Sequence, residues 1–149
     1  MRKFGVIAST SAILLLLGAP GMSQDKPYQS KPAPEGARVY IIWPSDGQVI
    51  HGGKFWLRMG LSGMGVAPAG VDRESTGHHH VLIDAPVPPL DQPIPNDKKH
   101  LHFGAGQTEA RIELPPGRHT LQLILGDANH VPFKPELVSK PVTVVVPEQ

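Results

Sequence analysis

His78-His79-His80 and His100-Leu101-His102 bring five of the eight histidines of this chain into two short apolar segments. Each contains an H-x-H spacing. If the segments are β-strands, residues two apart share a face. His78 and His80 then point the same way, with Leu82 and Asp84, while His79, Val81 and Ile83 point the other way. In the second segment His100 and His102 share a face opposite Leu101 and Phe103, the better core pair. Two imidazoles on one strand face can reach a single ion. Two such pairs on neighbouring strands would present four imidazoles, a donor set suited to copper or zinc.

The chain has no cysteine. That excludes a disulfide scaffold, thiolate zinc sites and the blue-copper arrangement, so a metal must be held by His, Met or carboxylate. His78, His80, His100 and His102 are the expected ligands. His79, His130, Met64 and Asp84 stand in reserve. His130 follows the turn Gly126–Asn129. Met64 is the thioether outside a core pattern, since Met59 alternates with Phe55 and Leu57. Asp84 is open to three roles: ligand, acceptor orienting an imidazole, or turn-former before Ala85-Pro86. His119 shares its face with Leu121, Leu123 and Leu125 and reads as a buried, hydrogen-bonded histidine. His51, beside Gly52-Gly53, reads as a surface turn residue. The competing reading of both H-x-H pairs is a polar strand edge with no metal. Imidazoles titrate near pH 6.5 in water, so metal affinity is expected to fall below that pH.

Catalytic signatures are lacking: there is no G-x-S-x-G, H-E-x-x-H, phosphate loop or dinucleotide fingerprint. A metal-dependent hydrolase would need a carboxylate base beside its ion, and nothing in the sequence places Glu74 or Glu109 there. The expectation is a non-enzymatic protein.

Residues 1–23 have a basic start at Arg2 and Lys3, an apolar run through Leu17, then small residues up to Ser23. This is the order of a secretory signal peptide, and its apolar run falls short of the roughly 20 residues of a membrane span. The expected location is the periplasm or the outside of the cell, with no membrane span after cleavage. Removing Arg2 and Lys3 turns the formal charge of +1 into −1, which gives nucleic acid no basic surface.

Residues 24–37 are polar and rich in proline, the composition of a flexible tether. Residues 38–149 form a single domain of short β-type runs broken by Gly, Pro, Asp and Asn. With 17 Pro and 16 Gly and no sustained 3.6-residue period, long helices are excluded. The pattern predicts an all-β fold, an antiparallel immunoglobulin-like β-sandwich of about seven to eight short strands, with a small barrel as the alternative. Two long loops, 63–77 and 85–99, flank the histidine segments, and long loops in compact domains often carry function.

The words GMGVAPAG (63–70), TGHHHVLID (76–84) and HLHFGAGQTEARIELPPGRHTLQLILGDANHVP (100–132) resemble a bacterial family known as domain of unknown function 4399. The resemblance implies an exported, single-domain β-protein whose hallmark is these histidine segments. It implies no activity. Taken with the residues, it leads to the expectation of a metal-binding protein for buffering, delivery or tolerance of copper, or of zinc as second choice. An envelope module that binds protein or glycan, with structural histidines, is the alternative.

Overall fold

The computed structural model describes residues 28–148. The expected signal peptide, 1–23, and residues 24–27 of the expected tether lie outside them. Among the described residues there are nine strands and no helix. They are β1 (Arg38–Trp43), β2 (Gln48–Val49), β3 (Lys54–Ser62), β4 (Gly65–Val66), β5 (Thr76–Ile83), β6 (His100–His102), β7 (Glu109–Glu113), β8 (Gly117–Gly126) and β9 (Val142–Val146).

Two sheets result. One has the order β1-β3-β7; the other runs β2-β9-β8-β5-β4, with β6 also paired to β5. First, second and fifth main strands in one layer, against third, sixth and seventh in the other, is the immunoglobulin-like arrangement. It differs from the expectation in two details. There are nine strands, and the short strands β2 and β4 run parallel to β9 and β5. Both are two-residue additions at sheet margins, too short to carry an alternating pattern in the sequence.

The core follows from strand alternation. In β3, Phe55, Leu57 and Met59 are buried while Lys54, Trp56 and Arg58 are exposed. The small sheet contributes Val39, Phe55, Leu57, Met59 and Ile112 to the core; the large one contributes Val81, Ile83, Leu121, Leu123, Leu125, Val144 and Val146. Burying such side chains is worth about 1.5–3 kcal/mol each.

β5 departs from simple alternation: it is buried on both faces from Gly77 to Ile83. Its inner face, with Val81 and Ile83, meets the small sheet. Its outer face is roofed by loop residues, and Leu82, Ile94 and Ile124 form a second small core there, with Ala85 and Val138 against it. The 85–99 loop is thus a roof over the histidine face. Ile94 N donates to the His130 carbonyl at 2.9 Å, tying that roof to the loop after β8.

The folded part also begins before Arg38. Lys134 N donates to the Lys31 carbonyl, Ala33 N donates to the Lys134 carbonyl, and Ala33 and Ala37 pack against the main core. Residues 31–37 of the expected tether are therefore laid along the sandwich, because these small and proline-flanked residues lend backbone groups to an otherwise open margin.

Candidate metal centre

The outer face of the β5–β8–β6 region is where the histidines meet. β5 pairs with β6 in an antiparallel register that sets His80 opposite His102 and Leu82 opposite His100. On the other side His78 lies opposite Gly126 and His80 opposite Ile124. His78, His80 and His102 each offer a nitrogen, and the three atoms lie within 4.8 Å of one another. Their ring centroids are 4.8 Å (His78–His80), 5.1 Å (His78–His102) and 5.0 Å (His80–His102) apart.

His130 closes the group from above. Its ring centroid lies 4.7 Å from that of His102, 5.1 Å from that of His78 and 5.9 Å from that of His80. It sits at φ 67°, a left-handed conformation that histidine tolerates better than most residues. The turn holding it is built on the buried Asp127, whose Oδ1 accepts from Asn129 N at 2.8 Å and Val131 N at 2.9 Å. His130 N donates to the Asp127 carbonyl.

Two glycines make the space. A β-carbon on Gly104 would overlap the imidazole of His102, and one on Gly126 would come within 3.0 Å of His80 Nε2 and 3.3 Å of His130 Cα. Asp127, Gly104 and Gly126 lie outside the residues expected from the sequence. The available signal was an isolated glycine beside a histidine-bearing strand, which marks a close approach.

Nitrogen satisfaction separates this group from His100, hydrogen-bonded through Nδ1, and from His119, hydrogen-bonded through both ring nitrogens. His78 and His80 are fully buried, and their Nε2 atoms lie 3.1 Å apart. That contact serves as a hydrogen bond when one nitrogen carries a proton. It is also close to the roughly 3.3 Å separating two nitrogens on one tetrahedral ion with bonds of about 2.0–2.1 Å. His78 Nδ1, His80 Nδ1 and His102 Nε2 are buried without a hydrogen-bond partner. Leaving a buried polar atom unpaired costs about 1–3 kcal/mol, so three at one spot call for an explanation.

Electrostatics keep the rings neutral. Burial, then the neighbouring His130, His102 and His79, pushes His78 down to about 4. Burial, followed by His78, His102, His130 and His79, pushes His80 to about 2. Burial and then His130 lower His102 as well. Neutral imidazole is the form that binds a metal. Desolvation thus sets His78 well below the 6.5 of a free imidazole, at about 4.

The remaining sequence candidates lie elsewhere. His100 is turned to Asp97 and donates from Nδ1 to Oδ1 at 2.8 Å; Lys99 N and His100 N donate to the same oxygen. The register slips His100 to the far side of Leu82, one strand repeat beyond the group. Asp84 accepts from His119 Nδ1 at 2.7 Å and from Thr120 N at 2.7 Å. Its φ of 51° takes it out of the strand phase shared by His78 and His80. Met64 packs against the main core. His79 is fully buried on the opposite face, with neither ring nitrogen in a hydrogen bond. Burial lowers its pKa. His51 is exposed in a turn.

A family model described as domain of unknown function, DUF4399, matches residues 57–147, which include every histidine of the group, and the chain belongs to that family. No curated protein matches the chain. Among solved structures it is similar to the solution structure of the PKD domain (329–428) from human KIAA0319. Identity is 14%, with 87% of this chain and 92% of that one covered at a TM-score of 0.40.

Proposed function

We propose that this member of the DUF4399 family is a non-enzymatic metal-binding protein whose ion is held by His78, His80 and His102, with His130 alongside. The carrying observation is the convergence of His78, His80 and His102, each with a nitrogen within 4.8 Å of the others, in a group where His78 Nδ1, His80 Nδ1 and His102 Nε2 have no hydrogen-bond partner. Copper or zinc suits an all-imidazole set. Buffering, delivery or tolerance of the ion is the role we assign. The N-terminal pattern of residues 1–23 supports export to the periplasm or beyond. The non-enzymatic reading is supported by the engagement of Asp84 and Asp97 with His119 and His100, which leaves them unsuited as a base at the ion.

Calorimetric titration of the purified protein with Cu(II) and Zn(II) tests this. One ion per chain is expected, with binding abolished in a His80→Ala/His102→Ala double variant. Unchanged affinity in that variant refutes the assignment.

A second reading, an envelope module for protein or glycan, is supported by the outer face of the small sheet. There Tyr40, Ile42 and Trp56 are exposed on adjacent strands. It calls for histidine variants that lose stability and not metal. Melting with and without a chelator separates the two, because only a bound ion raises the melting temperature of the chelator-free sample.

A further inference from the structure

The donors at this centre are all neutral, and the charge of the ion is left to the surroundings. Among the described residues the ligand group contains histidines and no carboxylate. The aspartates on β5's end and the adjoining loops make their contacts outside the donor set. Asp84 binds His119 and Thr120 N, Asp97 binds His100 and two backbone amides, and Asp127 Oδ1 binds the amides that shape the His130 turn. His78 and His80 have no solvent exposure, so an ion between them sits in a medium of low polarity. The cost of burying an ion grows with the square of its charge, so a divalent ion costs about four times as much as a monovalent one of equal size. Among monovalent metals, sodium and potassium are hard ions that take oxygen. Copper(I) is soft enough for nitrogen donors.

We infer that the centre selects monovalent copper, and that a divalent ion enters it only together with a small exogenous anion as co-ligand. This rests on the reading of His78, His80 and His102 as ligands. The anion would approach from the side of His102 and His130, both of which are only partly buried, unlike His78 and His80.

The test is a pair of competition titrations on the purified protein, anaerobic Cu(I) against a chromophoric chelator and Zn(II) against a zinc indicator. Each is run in halide-free buffer with and without millimolar azide. Azide is expected to raise Zn(II) affinity by about tenfold, inside the usual span of coupled binding, and to leave Cu(I) affinity unchanged. A His130→Asp variant supplies the missing negative charge at a residue whose left-handed backbone aspartate tolerates. It is expected to move the Zn(II)/Cu(I) affinity ratio by about tenfold toward zinc and to abolish the azide effect. Zn(II) binding that ignores azide in the parent protein overturns the inference while leaving the ligand assignment intact. That arm needs no variant to fold. If neither ion binds, the ligand assignment falls and this inference falls with it.

Discussion

His100 and His119 each hold a carboxylate; His78, His80, His102 and His130 hold none, although all but His130 come from the same sheet. His119 donates from Nδ1 to Asp84 and from Nε2 to the Pro115 carbonyl at 2.9 Å. Both partners only accept, so both ring nitrogens must carry protons. Burial works against that charge, but Asp84 and the Pro115 carbonyl outweigh it, and the His119 pKa is raised. The Asp84 carboxyl, whose own burial acts the other way, is held below its usual range by His119 and Thr120 N. His78, His80 and His102 move in the opposite direction. The carboxylate beside His119 makes that imidazole a cation and a structural tie. A cluster of imidazoles in a dry pocket stays neutral, with electron pairs left over for a metal.

The largest expected effect that tests this contrast is the pH dependence of the metal-free protein. Unfolded histidine titrates near 6.5, while folded His78 titrates at about 4. Between those values the unfolded chain binds the extra proton, so stability must fall as the pH falls. For His78 alone the loss is about 1.4 kcal/mol per pH unit, or about 3 kcal/mol in all. His119 has the reverse sign: its contribution is full below 6.5 and is lost as the pH rises through its raised value. Denaturant melts at pH 4, 5 and 6.5 check the first claim, and a level profile would contradict it. In the same range, metal affinity should hold from pH 7 down to 5.

A Gly104→Ala substitution comes next. The atoms nearest its β-carbon belong to the side chain of His102 and not to backbone, so the fold should survive while the ring is pushed aside. A ten- to hundredfold loss of metal affinity, about 1.4–2.8 kcal/mol, is expected from titration, with the melting temperature little changed. A stability loss without an affinity loss would place His102 outside the ligand set.

The two faces of β5 provide the third test. Replacing His79 by Leu removes two unpartnered nitrogens from the main core. It should raise stability by about 1 kcal/mol and leave metal binding intact. Reduced metal affinity in this variant would erase the distinction between the faces.

The smallest effect belongs to Asp84→Asn. This weakens the tie to His119 on a partly exposed carboxylate and should cost about 1 kcal/mol at pH 6 or less at higher pH, with no change in metal affinity. Nuclear magnetic resonance titration of His119 should show its pKa falling back toward 6.5.

Much of this was legible along the chain. Alternation in Lys54–Met59 identified a half-buried strand. The long 85–99 loop beside the histidines marked a place of interest, and it is the roof of the centre. His130 was visible only as a histidine after a turn. What brings it to the group is the local turn closed on the buried Asp127 and the backbone bond to Ile94, which joins two loops.

Strand phase belongs to the local backbone: side chains alternate with a period of two wherever a strand lies. The sequence alone therefore determined that His78 and His80 share a face that His79 does not, and that His100 and His102 share another. Register does not belong to either segment. A slip of two residues preserves every inward and outward assignment, so the hydrophobic pattern is blind to it. The tertiary structure decided that His102 meets His80 while Leu82 faces His100. Extended by the same register, Gly104 falls beside His78, where a larger residue would have filled the space of the centre. One strand repeat separates a ligand candidate from a histidine tied to Asp97.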